Sequence, residues 1–335
     1  MEEAISRVAI LGAGSWGTAL ATLLSRCACV RLWARDPGLA RRIQRERTNP
    51  RYLPGFQVPA CVEATADLEQ ALEGAQAAVL AVPAGATREV ALQAAQALTR
   101  VRLIVSAAKG LEDTTGLRMS QVIGQALGAP HPRIAALSGP NLAVEVAQGA
   151  PTASVAAADS PEVARACQAL WMGPTFRVYT SRDLLGVELA GAMKNVIAIG
   201  AGICEGLGFG DNSRAAYMTR GLAEITRLGV ALGAQPATFL GLAGVGDLIA
   251  TAGSRLSRNY RVGLGLGQGR PLDEVLAEIG QVAEGVPTTR ALCALAQRTR
   301  VEMPLSEALH AVLFEGASVR GTLTSLMLRP PQSEW

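Results

Sequence analysis

The sequence is poor in histidine, in aromatic residues and in net charge. Of 335 residues, 4% are aromatic and two are histidines, His131 and His310. Histidine-based triads and metal sites therefore have almost no material, and proton chemistry falls to Lys, Asp or Glu. The 31 Lys and Arg against 28 Asp and Glu leave a charge of +3, too weak and scattered to indicate nucleic acid or an acidic membrane. We expect small-molecule partners and no metal.

Paired cysteines and a signal peptide are also missing. Six cysteines are spread along the chain without C-x-x-C spacing, which predicts free thiols in a cytoplasmic protein. Residues 8–25 and 228–246 carry no charge, as a membrane span would. However, the first follows two acidic residues where a signal peptide has basic ones, and the second contains Pro236 and five glycines. We expect no membrane insertion.

A chain of 335 residues predicts two domains, because single cores rarely exceed ~250 to 300 residues. The first half, residues 1–182, alternates strands and helices, which predicts a doubly wound parallel sheet. Strands are expected at residues 6–11, 29–34, 77–82, 103–107, 134–137, 152–156 and 176–179. Ligands of such sheets collect beyond the carboxyl ends of the strands, where Lys109 and residues 138–141 fall.

Residues 12–17 read Gly-Ala-Gly-Ser-Trp-Gly, a G-x-G-x-x-G pattern between an apolar strand and an apolar helix. In that setting Gly12 makes the tight turn, Gly14 lets the backbone meet a pyrophosphate, and Gly17 lets helix and strand pack closely. The anion then lies at the N-terminus of the helix. The pattern indicates a dinucleotide site, and an ordinary glycine-rich turn is the alternative.

Arg35 stands near the end of the second strand, where NAD-selective sites usually place a carboxylate. A guanidinium there can pair with a 2′-phosphate, so we expect NADPH to be accepted. Asp36 keeps NADH open as a cofactor. The alternative is that Arg35 is a solvated charge at the end of a strand.

Residues 183–330 change to a helical period, which predicts an all-helical second domain. In its first helix Lys194 is the lone charge between Glu188 and Glu205. Such a lysine either reaches out to solvent or is held in a site with a lowered pKa. Several nearby glycines imply close approach of other backbone and favour the site. Asn195 follows directly and could hold a polar group of a ligand.

Asp247 is the sole acid in a glycine-rich stretch, residues 241–249. It is either a site residue or the N-cap of a helix. Residues 251–259 combine hydroxyls, an amide and two guanidiniums, a mixture that suits a phosphate; a solvated basic loop is the alternative. Since no linker separates the halves, we expect the site between them.

Several motifs together resemble the bacterial NAD(P)-dependent sn-glycerol-3-phosphate dehydrogenases over residues 6–325. These motifs occupy residues 12–20, 49–55, 109–112, 138–140, 194–202, 244–248, 257–259 and 280–285. The resemblance implies a Rossmann-type N-terminal domain and a helical substrate domain. It also implies reversible hydride transfer between NAD(P)H and dihydroxyacetone phosphate, supplying sn-glycerol 3-phosphate for phospholipid synthesis. The alternatives are another two-domain hydroxy-acid dehydrogenase and a non-catalytic dinucleotide-binding sensor.

Together, the resemblance and the motifs assign three sets of residues. The catalytic set is Lys194 as acid/base, with Lys109 and Asp247 beside it. The substrate-binding set is Lys109, Gly139, Asn141, Lys194, Asn195, Asp247, Thr251, Ser257, Arg258 and Asn259. The cofactor-binding set is Gly12, Gly14, Ser15, Trp16, Gly17, Arg35, Lys109, Ala143, Arg258, Val282 and Glu284. Asn141 departs from the family, which has Ser or Thr there, and a homodimer is expected because symmetric soluble enzymes are commonly dimers.

Overall fold

The computed structural model describes residues 4–128, 133–331 and 333–334, and His131 lies outside them. Ten strands are β1 Arg7–Leu11, β2 Cys29–Trp33, β3 Thr48–Asn49, β4 Leu53–Gln57, β5 Val62–Thr65, β6 Ala77–Leu80, β7 Leu103–Ser106, β8 Ile134–Ser138, β9 Thr152–Ala157 and β10 Phe176–Ser181. The helices before Asp183 are α1 Ser15–Leu24, α2 Pro37–Glu46, α3 Leu68–Leu72, α4 Ala84–Gln93, α5 Ala95–Leu98, α6 Met119–Ala126, α7 Ala143–Ala147 and α8 Pro161–Trp171.

After Asp183 the described chain is helical. Its helices are α9 Leu184–Gly206, α10 Asp211–Ala231, α11 Pro236–Phe239, α12 Asp247–Ala252, α13 Arg258–Gly267, α14 Leu272–Ile279, α15 Gly285–Thr299, α16 Pro304–Phe314 and α17 Val319–Met327. A single π-helical turn, Leu242–Gly246, leads into α12. The expected change from strand-and-helix alternation to helices is therefore present.

The main sheet has eight strands in the order β10-β9-β8-β7-β6-β1-β2-β5. The seven expected strands are all in it, and β5 is an eighth at the edge. The pairs are parallel except for β8 and β9, which run antiparallel. The link between β8 and β9 contains only α7, with five residues. At ~1.5 Å per residue this helix is too short to carry the chain back along a strand.

The sheet is covered on both faces, as the apolar runs predict for parallel strands. Along β1, Val8 and Ile10 enter one core cluster while Ala9 and Leu11 enter another. Every residue of β6, β7 and β8 is buried. The loop after β7 reaches the helical half, where Lys109 contacts Asp247.

Helix α9 is the core of the helical half and packs against α10, α13 and α15. Its backbone touches that of α13, since a Cβ on Gly202 would lie 2.1 Å from the Tyr260 carbonyl oxygen and one on Gly263 would lie 1.8 Å from the Ile199 carbonyl oxygen. Of the α9 glycines that predicted close backbone approach, Gly202 has that role, whereas Gly186, Gly191 and Gly200 lie against side chains. Helix α9 is long and apolar enough to cross a membrane, but 94% of its most apolar window is buried inside the protein.

The two uncharged segments do not form single long helices. Residues 8–25 are divided between β1 and α1, and residues 228–246 between α10, α11 and the π-helical turn. All six cysteines fall in the described ranges and are free thiols, three exposed and three buried. Within those ranges no group of three or more His, Cys, Asp or Glu is placed to hold a metal ion.

Candidate active site

The glycine-rich turn joins β1 to α1 and has the shape that its motif predicts. Gly12 has a φ of +121°, and a Cβ there would lie 2.8 Å from the backbone of Ala81. A Cβ on Gly17 would lie 1.8 Å from the Gly12 carbonyl oxygen, whereas one on Gly14 would meet nothing within 4 Å. The turn is therefore tightly packed at Gly12 and Gly17 and open at Gly14.

The N-terminus of α1 is built to receive an anion. It has neither a side-chain cap nor an acidic residue in its first turn, so its amides and positive dipole end face the open space. The indole Nε1 of Trp16 is buried and has no hydrogen-bond partner in the part of the chain described. These features fit the pyrophosphate of a dinucleotide.

Arg35 and Asp36 follow β2 directly, and both are exposed. Asp36 Oδ1 accepts a hydrogen bond from the Gly38 amide at 2.8 Å and caps α2. No ion pair of Arg35 occurs among the described residues. The guanidinium is thus free for a ligand, while the carboxylate beside it already has a structural partner.

Two lysines from different halves share one aspartate. Lys109, in the loop after β7, donates to Asp247 Oδ2 at 2.8 Å and to the Gly139 carbonyl oxygen at 2.7 Å. Lys194, on α9, donates to Asp247 Oδ1 at 3.0 Å and to Thr251 Oγ1 at 2.5 Å. Lys194 and Asp247 are 4% and 2% exposed, so this charged cluster is enclosed by the protein.

Asp247 is not the N-cap of α12, so the alternative interpretation of this residue as a helix cap is wrong. It is the first residue of α12, Gly246 precedes it as the cap position, and no side-chain capping bond is present. Both carboxylate oxygens are occupied by ammonium groups, and Oδ1 also accepts from the Thr251 hydroxyl at 3.1 Å. The aspartate therefore serves the lysine cluster.

The surroundings of Lys194 lower the pKa of its amine. The pKa of Lys194 is lowered to about 8, chiefly by burial; Lys109 and Arg258 contribute to the lowering, and Asp247 opposes it. Burial alone would raise the pKa of Asp247, but the two ammonium groups outweigh it and hold that pKa below its ordinary value. A lysine with a pKa near neutral pH can both give and take a proton.

The sequence contains just two lysines, and they are Lys109 and Lys194. All other basic side chains apart from the histidines are arginines. This low count is a sequence signal that does not depend on any motif. It points to the same two residues that the fold brings onto Asp247.

The expected phosphate segment lies at the start of α13. Ser257 is the N-cap and accepts from the Tyr260 amide at 3.2 Å, so its hydroxyl has a structural partner. Arg258 follows it; burial lowers the pKa of its guanidinium, and Glu284 and Tyr52 oppose that shift. The guanidinium still stays charged near neutral pH. Arg258 is therefore the cation that this segment offers to a ligand.

Asn195 and Asn259 are hydrogen-bonded to each other, with Asn259 Nδ2 donating to Asn195 Oδ1 at 2.8 Å.

Glu284 reaches the other half of the molecule, where its Oε1 accepts from the Ala84 amide at 2.9 Å. Burial raises the pKa of Glu284. Val282 is exposed and Ala143 half-buried.

The end of β8 and the loop that follows it carry polar groups without a hydrogen-bond partner in the described part of the chain. Asn141 Oδ1 accepts from the Ser154 hydroxyl at 3.0 Å. Asn141 Nδ2 and Ser138 Oγ are buried and have no partner within the described ranges. Gly139 has a φ of +142°, a conformation that favours glycine. Unpaired buried polar groups at the carboxyl end of a strand are typical of a ligand-binding wall.

Two contacts join the halves, one from Ser15 to Gln281 and one from Ser120 to Glu188, and no motif predicts them. The Ser15 hydroxyl donates to the Tyr52 carbonyl oxygen at 2.5 Å and lies 3.3 Å from Gln281 Oε1. Glu188 on α9 accepts from the Ser120 amide at 2.7 Å and forms an ion pair with Arg118. Both contacts link distant parts of the chain, so no local pattern could have shown them.

A buried lysine with a lowered pKa, in a protein that also has a turn shaped for a dinucleotide, is typical of an NAD(P)-dependent dehydrogenase. Comparison with known proteins narrows this class. The N- and C-terminal family models of NAD-dependent glycerol-3-phosphate dehydrogenase match residues 7–164 and 183–324. The chain belongs to this family.

Individual relatives agree over nearly the whole chain. A glycerol-3-phosphate dehydrogenase (NAD(P)+) of Pelotomaculum thermopropionicum is 50% identical over 96% of this chain and 93% of its own. One from Carboxydothermus hydrogenoformans is 50% identical over 98% of each chain. The crystal structure of glycerol-3-phosphate dehydrogenase from Coxiella burnetii matches with a TM-score of 0.93 and 39% identity, covering 97% of this chain and 99% of that one.

Proposed function

We propose that this enzyme catalyses the reversible NAD(P)H-dependent reduction of dihydroxyacetone phosphate to sn-glycerol 3-phosphate. The observation that carries the proposal is the Lys109–Asp247–Lys194 cluster, which lies where the helical half meets the strand ends. Membership of the family supplies the substrate class, a phosphorylated small molecule.

The turn of Gly12, Gly14 and Gly17, with Ser15 and Trp16, would hold the cofactor through the first amides of α1. Arg35 would meet a 2′-phosphate. On the helical side, Arg258, Val282 and Glu284 would complete the cofactor site, together with Ala143 and Lys109. When bound, NAD(P)H supplies the hydride for reduction.

Lys194 would act as the general acid. Its protonated amine would donate to the oxygen of the substrate carbonyl as negative charge develops there. Asp247 and Thr251 hold the Nζ atom of Lys194 in place before substrate arrives. Lys109 would add positive charge beside the carbonyl. In the oxidation direction, neutral Lys194 would take the proton back.

Arg258 would bind the substrate phosphate, because a guanidinium forms two charged hydrogen bonds with one phosphate group. Asn141 and Gly139 would line the opposite wall. The division into a dinucleotide-binding domain, residues 1–182, and a substrate domain, residues 183–330, is part of this proposal. So are a cytoplasmic location, a role in glycerophospholipid synthesis and a homodimeric state.

The direct test is the loss of NADPH absorbance when dihydroxyacetone phosphate is added to the purified protein. A panel of 2-keto and 3-keto acids serves as the control. We expect turnover with dihydroxyacetone phosphate and little with the acids. Turnover confined to a keto acid would favour a hydroxy-acid dehydrogenase, and NADPH binding without any turnover would favour a sensor.

A further inference from the structure

The hairpin of β3 and β4 contains residues 49–55, one of the motifs of the sequence, and β4 packs against α1. The two strands form a small antiparallel sheet of their own. Asn49 ends β3 and is followed by Pro50, which restricts the residue before it to an extended backbone. Leu53, the partner of Asn49 in β4, is 1% exposed. The hairpin is therefore anchored by an apolar side chain, and the backbone of Asn49 has little freedom.

The side chain of Asn49 reaches from this hairpin to the glycine-rich turn. Its Nδ2 donates to the Ala13 carbonyl oxygen at 2.9 Å and to Thr18 Oγ1 at 2.8 Å. Its Oδ1 accepts from the Tyr52 amide at 3.3 Å. A side-chain amide has two N–H donors, and Asn49 uses both on this segment. It therefore joins the middle of the turn to the first helical turn of α1.

The amides that face the open space at the start of α1 lie between these two fixed points. Ser15, which begins α1, is held by the same hairpin, because its hydroxyl donates to the Tyr52 carbonyl oxygen. Asn49 and Thr18 are 1% and 0% exposed. Because buried polar groups are costly to leave unpaired, the two bonds of Asn49 hold the Ala13 carbonyl and the Thr18 hydroxyl at a fixed separation.

We propose that Asn49 is a positioning residue for the cofactor: it sets the shape of the glycine-rich turn and so keeps the first amides of α1 aimed at the space over Gly14. This inference rests on the proposed cofactor site. Both donors of Asn49 are used within the protein, so it acts on the cofactor through the turn. Amides that are already aimed at an anion bind it more tightly, since no ordering then opposes binding.

The test measures NADPH binding by fluorescence, without substrate, in Asn49→Leu and Thr18→Val. The first variant keeps a side chain of similar size and loses both bonds to the turn, and the second loses one. We expect the dissociation constant of NADPH to rise about 10-fold and about 3-fold respectively, as is typical when a supporting hydrogen bond is lost. Thr18→Ser keeps the hydroxyl and should bind NADPH as the wild type does. Asn212→Leu, on the exposed face of α10, is the matched control and should also bind as the wild type.

Steady-state kinetics separates positioning of the cofactor from general damage to the enzyme. At saturating NADPH, kcat and the KM for dihydroxyacetone phosphate should change by less than about twofold, because the lysine–aspartate cluster is untouched. An unchanged dissociation constant for NADPH, or a loss of kcat that saturating NADPH does not restore, would overturn the proposal. If Asn49→Leu fails to fold by circular dichroism, Thr18→Val and Thr18→Ser carry the test.

Hydrogen–deuterium exchange of the free protein gives a readout that needs no ligand. The Gly12 amide donates to the Trp33 carbonyl oxygen at 3.0 Å, and the Thr18 amide donates to the Gly14 carbonyl oxygen at 2.9 Å. We expect both amides to exchange faster in Asn49→Leu, while β6 and β7 keep the wild-type rate. Faster exchange throughout the sheet would show that Asn49 only stabilises the fold, and unchanged exchange at both amides would contradict the link. Failure of the wild type to reduce dihydroxyacetone phosphate would count against the proposed function alone, because neither NADPH binding nor exchange needs substrate.

Discussion

The lysine–aspartate cluster and the turn before α1 prepare for their ligands in opposite ways. In the cluster, Lys109, Lys194, Asp247 and Thr251 satisfy one another's charges and hydrogen bonds. In the turn, the space above Gly14 is empty and the amides of α1 lack a cap. The charged groups of the cluster are thus fixed in advance by the protein, whereas the amides of the turn are left for a ligand to satisfy.

The largest effect should come from Lys194→Met, which removes the proposed proton donor and keeps a side chain of similar length. General acid catalysis typically contributes ~100- to 10,000-fold, so we expect kcat to fall by at least ~100-fold. NADPH binding, followed by fluorescence, should persist because the turn before α1 is untouched. Near-normal turnover would exclude Lys194 as the acid.

Asp247→Asn should damage both the reaction and the fold. Removing one partner of a buried ion pair typically destabilises a protein by ~3 to 5 kcal/mol, which urea unfolding would measure. Without the carboxylate, the pKa of Lys194 should fall further below about 8. Reduction needs the protonated amine, so the rate of reduction falls as the pH rises. In the variant this fall should occur at a lower pH than in the wild type. An unchanged pH profile would show that Asp247 does not influence the pKa of Lys194.

Gly14→Ala tests the open side of the turn. Gly14 has a φ of −72° and room for a Cβ, so stability should change by no more than ~0.5 kcal/mol. NADPH binding should weaken by ~10-fold or more, about 1.4 kcal/mol. Gly17→Ala is the control, since its Cβ would overlap Gly12 and should lower the thermal stability. Unchanged NADPH affinity in Gly14→Ala would remove the turn from the cofactor site.

Arg35→Ala should have the smallest effect, because the side chain is exposed and exposed ion pairs are weak. We expect kcat/KM to fall ~5-fold for NADPH and to stay the same for NADH. Arg41→Ala, at another exposed arginine, on α2, is the control. An equal change for both cofactors would show that Arg35 does not recognise the 2′-phosphate and would support its interpretation as a solvated charge.

Much of the fold could be predicted because buried strands are continuous apolar runs, as in β6 and β7. Strand β5 was missed: it is short, lies at the sheet edge and exposes Glu63. The antiparallel direction of β9 depends on the length of α7, which no periodicity reveals.

The sequence pointed to Lys194, Asp247 and Lys109 because charged residues in apolar or strand-end positions are conspicuous. It could not show that one carboxylate serves both lysines. Nor could it show that the side-chain amide of Asn195 donates its hydrogen bonds to backbone carbonyl oxygens. Such partners are set by the tertiary fold, across 86 positions for Asn195 and Lys109. Local residue patterns contain no information on them.

The most direct test of the account is the pKa of Lys194 in the free wild-type enzyme. Its acetylation rate can be followed by mass spectrometry as a function of pH, with Lys109 as the sole other lysine to separate. The account predicts that the rate rises through a pKa of about 8. A pKa at the ordinary value of 10.5 would mean that Lys194 is neither buried nor poised to transfer a proton, which would contradict the account.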